Sequence, residues 1–306
     1  MRDELTGARF PMPLLRRLLA PLLALMLPAC ATVDARPANA LEAERGPAIW
    51  KVADKDTTIY LFGTIHALPE GKSWFSGPVE RAYDSSQEVV TEYLPRDNVS
   101  EEIAQRGLLT GPQTLRSLMK PEDRMHLEET LVSFGVPVEA LDKYKPWFAA
   151  LVLTKMQAEK AGFDQQSGAE AVLAGKIDGK RQAGLETVAQ QIEIFDGLPQ
   201  QEQLSFLAQT VASITDATQV LRAYYAKWIA GDADGLAAMM NAELDDPLLR
   251  KRLLVERNER WAQWIDQRLK QPGTVFVAVG AGHLAGSDSV QYQLKKRGIR
   301  ARRVWQ

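Results

Sequence analysis

Two histidines and one glutamate have the types and positions expected of residues that do chemistry. His66 and His283 each lie three residues after a glycine, in Gly63-Thr-Ile-His66 and Gly280-Ala-Gly-His283, just beyond a run typical of a β-strand. Glu92 lies near the end of a third such run. Ligands of open α/β sheets bind beyond the carboxyl ends of the strands, so we expect these side chains to converge if the strands are parallel neighbours.

This set of side chains suits a divalent metal ion. Two imidazoles and a carboxylate can bind Zn, Mn or Co with positions left for water, and a metal-bound water is a nucleophile near neutral pH. We therefore predict that His66, Glu92 and His283 bind the metal ion, and that the same three residues are the catalytic residues. The chain has only 3 histidines, so the repetition of Gly-x-x-His is informative. His126 lies among alternating charges and is predicted to face solvent.

Other chemistries are disfavoured by the sequence. It contains no Gly-x-Ser-x-Gly elbow, Walker loop, His-Glu-x-x-His or Gly-x-Gly-x-x-Gly dinucleotide fingerprint, which argues against serine hydrolases, NTPases, zincins and Rossmann enzymes. Glu88 shares a strand face with Glu92, but Glu92 is nearer the strand end. Glu186 is a further candidate, for which a structural role is expected.

The order of predicted strands and helices that must position these residues indicates a mixed α/β fold with a central mixed sheet. β-rich runs at 48–53 and 57–62 around a polar turn predict an initial β-hairpin that leads to His66. From about residue 100 to 240 the apolar spacing is helical, which predicts a large helical insertion. One domain is therefore expected over residues 47–306.

The C-terminal third predicts a helix followed by a βαβ unit. In the helix from about 246 to 270, Asn258 falls on an apolar stripe and Arg257 lies beside it, so both must find partners when buried. The apolar run 274–279 predicts a strand buried on both faces. After it we expect a glycine loop, a helix that begins at Ser287 or Asp288, and a last strand over 299–305.

The N-terminus predicts an exported protein. Arginines precede the apolar run 18–27, which is too short to be a permanent membrane helix, so residues 1–30 are predicted to be a signal peptide. Cys30, the only cysteine, ends a lipobox-like Leu-Pro-Ala-Cys, although the same segment satisfies ordinary signal cleavage. The mature chain is predicted to be an outer-membrane lipoprotein or a periplasmic protein, with residues 31–46 as a polar tether.

The formal charge of −2 disfavours nucleic acid as a partner, because phosphate binding needs a clustered basic excess. The basic segments 295–297 and 300–303 near the C-terminus are interpreted as a solvated sheet edge. A membrane contact is expected only through a lipid on Cys30.

Several motifs together resemble the TraB/GumN family, from about residue 47 to the C-terminus. They are Trp50-Lys-Val-Ala, Tyr60-Leu-Phe-Gly-Thr-Ile-His-Ala-Leu-Pro69, Thr91-Glu92, Gly184-Leu-Glu186, Arg257-Asn258 with Trp261, and Val279-Gly-Ala-Gly-His-Leu-Ala-Gly286. That family is similar to the Tiki proteases, for which a divalent-metal peptidase activity is proposed, and its fold is related to the erythromycin esterase and ChaN-like group. The resemblance implies that His66, Glu92 and His283 form the site, with Arg257 and Asn258 lining it as cofactor-binding residues.

Three functions remain open at this point. The first is a metal-dependent hydrolase of the cell envelope, such as a peptidase, acting on a peptide or small molecule. The second is a metal-independent hydrolase of the erythromycin esterase kind, in which a histidine is the base for an attacking water. The third is an envelope lipoprotein that binds haem or a metal ion without catalysis.

Overall fold

The computed structural model describes residues 46–94, 99–242 and 246–305, all within one compact unit that spans 38–306. The predicted signal peptide at 1–30, and the predicted tether apart from Gly46, lie outside the described residues. With 53% helix and 16% strand, the fold is mixed α/β, which confirms the predicted class. No helix in these three ranges is long and apolar enough to cross a membrane.

The centre of the fold is a six-stranded mixed sheet with strand order β6-β4-β7-β2-β1-β8, and β3 and β5 form a separate antiparallel pair. The strands are β1 Ile49–Ala53, β2 Thr57–Thr64, β3 Leu68–Pro69, β4 Glu88–Tyr93, β5 Phe163–Asp164, β6 Arg181–Glu186, β7 Gly273–Gly280 and β8 Arg302–Arg303. Strands β2, β7, β4 and β6 run parallel, whereas β1 is antiparallel to β2 and β8. β1 and β2 are the predicted hairpin.

The helices cover both faces of the sheet and form a further helical region. They are α1 Gly77–Asp84, α2 Val99–Arg106, α3 Leu115–Leu118, α4 Pro121–Ser133, α5 Pro146–Lys160, α6 Ala169–Ala174, α7 Val188–Asp196, α8 Gln200–Ser213, α9 Ala217–Ile229, α10 Ala233–Ala242, α11 Pro247–Arg250, α12 Glu256–Arg268 and α13 Val290–Lys296. A π-helical turn, Lys251–Val255, joins α11 to α12. Helices therefore occupy most of the chain between β4 and β7, where the sequence predicts an insertion.

Two apolar clusters hold the sheet between its covering helices. On one face Phe62 and Phe276 pack with Trp74 and Trp228, and on the other Val277 packs with residues of α12 and α13. Strand β7 is buried on both faces, as its unbroken apolar run predicts. A third cluster is formed by leucines, alanines and a valine of the helical region: Leu115, Leu127, Leu131, Leu141, Ala149, Ala150, Leu153, Leu207 and Val211.

The C-terminal βαβ unit is present, with two boundaries that differ from the prediction. α13 begins after Ser289, whose Oγ accepts from the Tyr292 amide at 3.3 Å, because the Asp288 carboxylate is instead paired with Arg250 at 2.7 Å. β8 covers only Arg302–Arg303, since the Ile299 amide is used to close the preceding helix by bonding the Leu294 carbonyl. β8 is parallel to β7 but separated from it by β2 and β1.

Candidate functional site

The three residues singled out in the sequence lie at one edge of the sheet. β4, β7 and β2 are parallel neighbours, so their carboxyl ends point the same way. His66 follows β2, His283 follows β7, and Glu92 is the fifth residue of β4. The two histidines are close enough to Glu92 to help lower its pKa. The condition on which the expected convergence depended, parallel neighbouring strands, is therefore met.

Glu92 is a largely buried carboxylate with a partner for each oxygen. Its Oε1 accepts from the Gly280 amide at 2.8 Å. Its Oε2 accepts from Arg257 Nη2 at 2.5 Å and from Gln191 Nε2 at 3.0 Å. Burial opposes the ionisation of Glu92. The charge of Arg257, with smaller contributions from the two histidines and the Gly280 amide, outweighs burial and lowers the pKa of Glu92 to about 2. Glu92 is consequently an anion throughout the physiological pH range.

Arg257 is the cation at the centre of this network. Its Nε donates to both oxygens of Glu186 at 3.1 and 3.0 Å, and its Nη2 also lies 2.9 Å from Glu186 Oε2. Its side chain is only 6% exposed, and that of Glu186 only 1%. The guanidinium is held further by the carbonyl of Leu253, in the π-helical turn, at 3.3 Å. A buried arginine between two carboxylates satisfies charges that would otherwise be costly to bury.

His283 is held as a neutral imidazole. Arg257 Nη1 lies 3.1 Å from Nε2, and because a guanidinium can only donate, Nε2 must be the acceptor. The proton is therefore on Nδ1, which donates to Asn258 Oδ1 at 2.7 Å. Asn258 is fixed in turn by its Nδ2, which donates to the Asp288 carbonyl at 2.7 Å. Burial, assisted by the nearby Arg257 charge, lowers the pKa of His283 to about 3 despite the opposing charge of Glu92.

The buried pair on α12, Arg257 and Asn258, thus finds its partners at the site. The apolar stripe of α12 packs Trp261 and Ile265 onto the sheet, which places the two polar side chains beside the end of β7. Trp261 also packs against the His283 ring, with centroids 4.4 Å apart.

His66 has a different environment and a different partner. Its Nδ1 lies 2.8 Å from Glu170 Oε1, and its side chain is 73% exposed. The charge of Glu170 and this hydrogen bond raise the pKa of His66 to about 9, although solvent at so exposed a side chain screens the attraction. No described residue forms a hydrogen bond with His66 Nε2.

A glycine makes the approach of Glu170 to His66 feasible. α6 begins directly after Gly168, and a Cβ at Gly168 would overlap the carbonyl oxygen of His66. The Ala169 amide donates to the Ile65 carbonyl at 3.0 Å, which fastens the start of α6 to the segment that carries His66. The absence of a side chain at residue 168 therefore allows the contact between the two backbones.

His66, Glu92 and Glu170 line one cavity, of about 420 Å³, which we call the His66 cavity. This volume lies within the range usual for small-molecule sites. The remaining wall is a mixture of apolar side chains and uncharged polar ones: Val89, Thr91, Tyr93, Gln165, Ala171, Leu173, Ala174, Ile177, Gln182, Gln191 and Ala278. His283 is not among the lining residues, and it is buried against Arg257 instead.

Glu170 and Gln191 were not found by the sequence reasoning. Both belong to the predominantly helical stretch between β4 and β7, far from the motifs in the chain, and no local pattern marks them. Gly168, two residues before Glu170, is the only signal that could have drawn attention to it. Of the other candidates, Glu186 contacts Arg257, whereas Glu88 lies at the opposite end of β4 and pairs with Arg268 at 2.9 Å. His126 is exposed on α4, as expected.

The geometry also bears on how a metal ion would be held. Within the described ranges, no group of three or more His, Cys, Asp or Glu side chains is placed to share a metal ion. His283 Nε2 meets a guanidinium, and both oxygens of Glu92 already accept hydrogen bonds. The residues as arranged do not fit a shared metal, so no metal-centred step follows from them, and metal binding by His66, Glu92 and His283 stays a prediction.

Comparison with known proteins supports the motif resemblance. The family model described as TraB/PrgY/gumN family matches residues 48–303. An uncharacterized protein of Treponema pallidum (strain Nichols) is 25% identical over 293 residues, which cover 89% of this chain and 87% of that relative. No solved structure matches the chain.

Proposed function

The chain belongs to the TraB/PrgY/gumN family, and we propose that it is a hydrolase that cleaves an ester or amide bond in the His66 cavity. The observation that carries this proposal is the pair His66 and Glu170, with Nδ1 and Oε1 2.8 Å apart at the wall of a cavity of about 420 Å³. A histidine fixed by a carboxylate at one ring nitrogen, with the other nitrogen unbonded, is the arrangement of a general base.

The proton transfers follow from this arrangement. With Nδ1–H donating to Glu170, neutral His66 accepts a proton at Nε2 from a water molecule as the water oxygen attacks the substrate carbonyl. The imidazolium that forms is stabilised by the Glu170 carboxylate. His66 then gives the proton to the departing alcohol or amine, which returns the imidazole to its neutral form. Positioned proton transfer of this kind contributes about 10²- to 10⁴-fold to a rate.

The remaining charges set the preference for substrate. Burial opposes the ionisation of Glu92 and Glu170, but the charge of Arg257 beside Glu92 and that of His66 beside Glu170 help to lower both pKa values, so both carboxylates of the cavity wall are ionised. A substrate with an anionic group would be repelled, so an uncharged or cationic ester or amide is favoured. The apolar wall residues, such as Leu173 and Ile177, suit an apolar group next to the cleaved bond.

The test is a screen of the folded chain against fluorogenic esters and peptide amides, with and without a chelator. The variants are His66→Gln and Glu170→Gln, with His126→Gln as the matched control because His126 is exposed on a distant helix. Compared above about pH 9, where His66 is neutral with or without its carboxylate partner, chelator-resistant turnover that is lost in His66→Gln, slowed in Glu170→Gln and unchanged in His126→Gln would support the proposal. Absence of turnover across the panel, or turnover indifferent to His66→Gln, would overturn it.

A metal-dependent hydrolase is the second candidate, and one observation favours it. A carboxylate bound to one ring nitrogen is also what orients a metal-ligating histidine, so His66, whose Nε2 has no hydrogen-bond partner among the described residues, could contribute to a Zn, Mn or Co site at the His66 cavity. Turnover that appears only with one of these ions, and disappears with a chelator, would decide for this candidate. Tight retention of haem or a metal without any turnover would instead favour a binding protein.

We also propose that the chain is exported to the cell envelope. The support is the sequence of residues 1–30, with arginines before a short apolar run and a lipobox-like end at Cys30. Fractionation of cells that produce the full chain, together with the Cys30→Ala variant, tests both parts. A periplasmic wild type and variant would indicate ordinary cleavage, membrane attachment lost in Cys30→Ala would indicate a lipid anchor, and retention in the cytoplasm would contradict export.

A further inference from the structure

A second cavity lies at the C-terminal edge of the sheet, away from the His66 cavity. It is an open groove of about 1110 Å³, bordered by Trp50 of β1, by one side of α13 and by the chain from Gly298 to Trp305. It shares no lining residue with the His66 cavity. We call it the C-terminal groove.

Aromatic rings and an arginine form one end of this groove. The Arg303 guanidinium lies over the rings of Trp50 and Trp305, 4.9 and 4.7 Å from their centroids. Its Nη2 donates to the Gly231 carbonyl at 2.6 Å. Burial lowers the pKa of Arg303, and the charge of Asp234 offsets this lowering only in part. An arginine held in this way is stabilised by any anion brought close to it.

Three side chains that line the groove have buried polar atoms without a hydrogen bond partner among the described residues. They are the donors Arg303 Nε and Trp305 Nε1 and the acceptor Gln291 Oε1. Buried polar atoms are nearly always paired in folded proteins, so a concentration of exceptions at one cavity indicates that a partner is missing there. The missing partner has to offer both acceptors and a donor.

The charge of the groove specifies the kind of partner further. Lys295 and Arg300 are exposed on its wall, and neither forms an ion pair with a described residue. With Arg303 they make three cations, against Asp234 as the acidic residue of the lining. Surface cations are usually balanced by acidic neighbours, whereas here they are gathered beside the exposed ring of Tyr292 and the half-buried rings of Trp50 and Trp305.

We propose that the C-terminal groove is a binding site for a small organic anion that carries a carboxylate or phosphate on a flat ring. The anionic group is placed between Lys295 and Arg300, and the ring packs on the aromatic side chains. Polar substituents of the ring reach the unpaired atoms of Trp305 and Gln291 once those two side chains turn towards the groove, because both atoms are buried without the ligand. This site is separate from the proposed hydrolase site and does not depend on it.

The test is calorimetric titration of the full chain with phenyl phosphate, benzoate, benzyl alcohol and inorganic phosphate. We expect one of the two ring anions to bind, and its identity distinguishes a phosphate from a carboxylate ligand. Binding of benzyl alcohol or inorganic phosphate as tight as that of the ring anions would overturn the proposal, because either the charge or the ring would then contribute nothing. Absence of binding by both ring anions would overturn it as well.

A pair of charge variants locates the site. Lys295→Gln with Arg300→Gln removes the two exposed cations without disturbing a described ion pair, and is expected to weaken binding at least about 10-fold, which corresponds to about 1.4 kcal/mol. The matched control is Lys55→Gln with Lys72→Gln, two exposed lysines outside the groove, for which binding should be unchanged. If the two double variants bind the ring anion with equal affinity, the anion binds outside the C-terminal groove and the proposal is contradicted.

Discussion

Arg257 and Glu92 form the closest charged contact of the candidate site, with Nη2 2.5 Å from Oε2 and side chains only 6% and 14% exposed. The same guanidinium contacts Glu186 and His283, so one residue of α12 connects the ends of β4, β6 and β7. The ionisation states of Glu92 and His283 therefore depend on a side chain from a distant part of the chain.

Replacing Arg257 by Gln should be strongly destabilising. Glu92 and Glu186 would be left as buried carboxylates without their main cation, so we expect the free energy of unfolding to fall by about 3–5 kcal/mol. The matched control is Arg260→Gln, because Arg260 contacts the same Glu186 at 3.0 Å but is 50% exposed. Its loss should cost less than about 1 kcal/mol. Urea denaturation measures the free energy of unfolding of each variant. A similar decrease in Arg257→Gln and Arg260→Gln would show that the burial of Arg257 does not determine its contribution to stability.

Replacing Gly168 by Ala should separate His66 from Glu170. The added methyl group would overlap the His66 carbonyl oxygen, so either α6 or the segment after β2 must move. We expect destabilisation of about 1–3 kcal/mol and a lower pKa for His66, since its carboxylate partner is displaced. Gly175→Ala, at the other end of α6, is the control, because its Cβ would have an ordinary contact of 3.5 Å with the Val172 carbonyl. Two equally stable variants would contradict this account.

The titration of His66 should be shifted upward by Glu170. The neighbouring carboxylate raises the pKa of His66 from 6.5 towards about 9. Because the His66 side chain is exposed, water screens the pair and makes this rise smaller. Hydrolysis that uses neutral His66 as base should therefore increase as the pH rises through this pKa. In Glu170→Gln the pKa should return towards 6.5, and the rise in activity should move to lower pH. Side-chain NMR of the 3 histidines measures the pKa directly, and a His66 pKa that is the same in Glu170→Gln as in the wild type would exclude the pair.

His283 should make the protein less stable in acid. Its pKa is lowered to about 3 in the folded chain from the ordinary histidine value of 6.5, so the unfolded chain binds more protons between these limits. Stability must then rise with pH from about 3 to 6.5, by at most about 1.4 kcal/mol per pH unit for one proton. His283→Gln should flatten that slope. Unfolding free energies measured from about pH 3.5 to 7 test this, and parallel curves for His283→Gln and wild type would contradict it.

The carboxylate of Glu92 contributes to acid sensitivity in a lower range. Because its folded pKa is lowered, its stabilising effect is complete above the usual carboxylate pKa and is lost as the pH falls towards about 2. The pH range in which Glu92 affects stability therefore overlaps that of His283 but extends to lower pH.

Much of the fold, and the strand ends at which the candidate site residues lie, could be predicted from local patterns. The unbroken apolar run of β7, the hairpin of β1 and β2 and the glycine before each histidine are local features, and they predict strands that end at His66 and His283. The boundaries of α13 and β8 were predicted less well, because Asp288 is engaged by Arg250 and Ile299 by the end of α13. Those contacts depend on packing rather than on propensity.

By itself, the sequence determined which residue types stand at the strand ends, because strand periodicity and glycine spacing are properties of neighbouring residues. Only the tertiary structure decided their partners. Glu170 meets His66 from 104 positions further along the chain, and Arg257 meets Glu92 across 165 positions. Such contacts set charge and orientation through burial and Coulomb interaction, which depend on distance in space and leave no pattern in the local sequence.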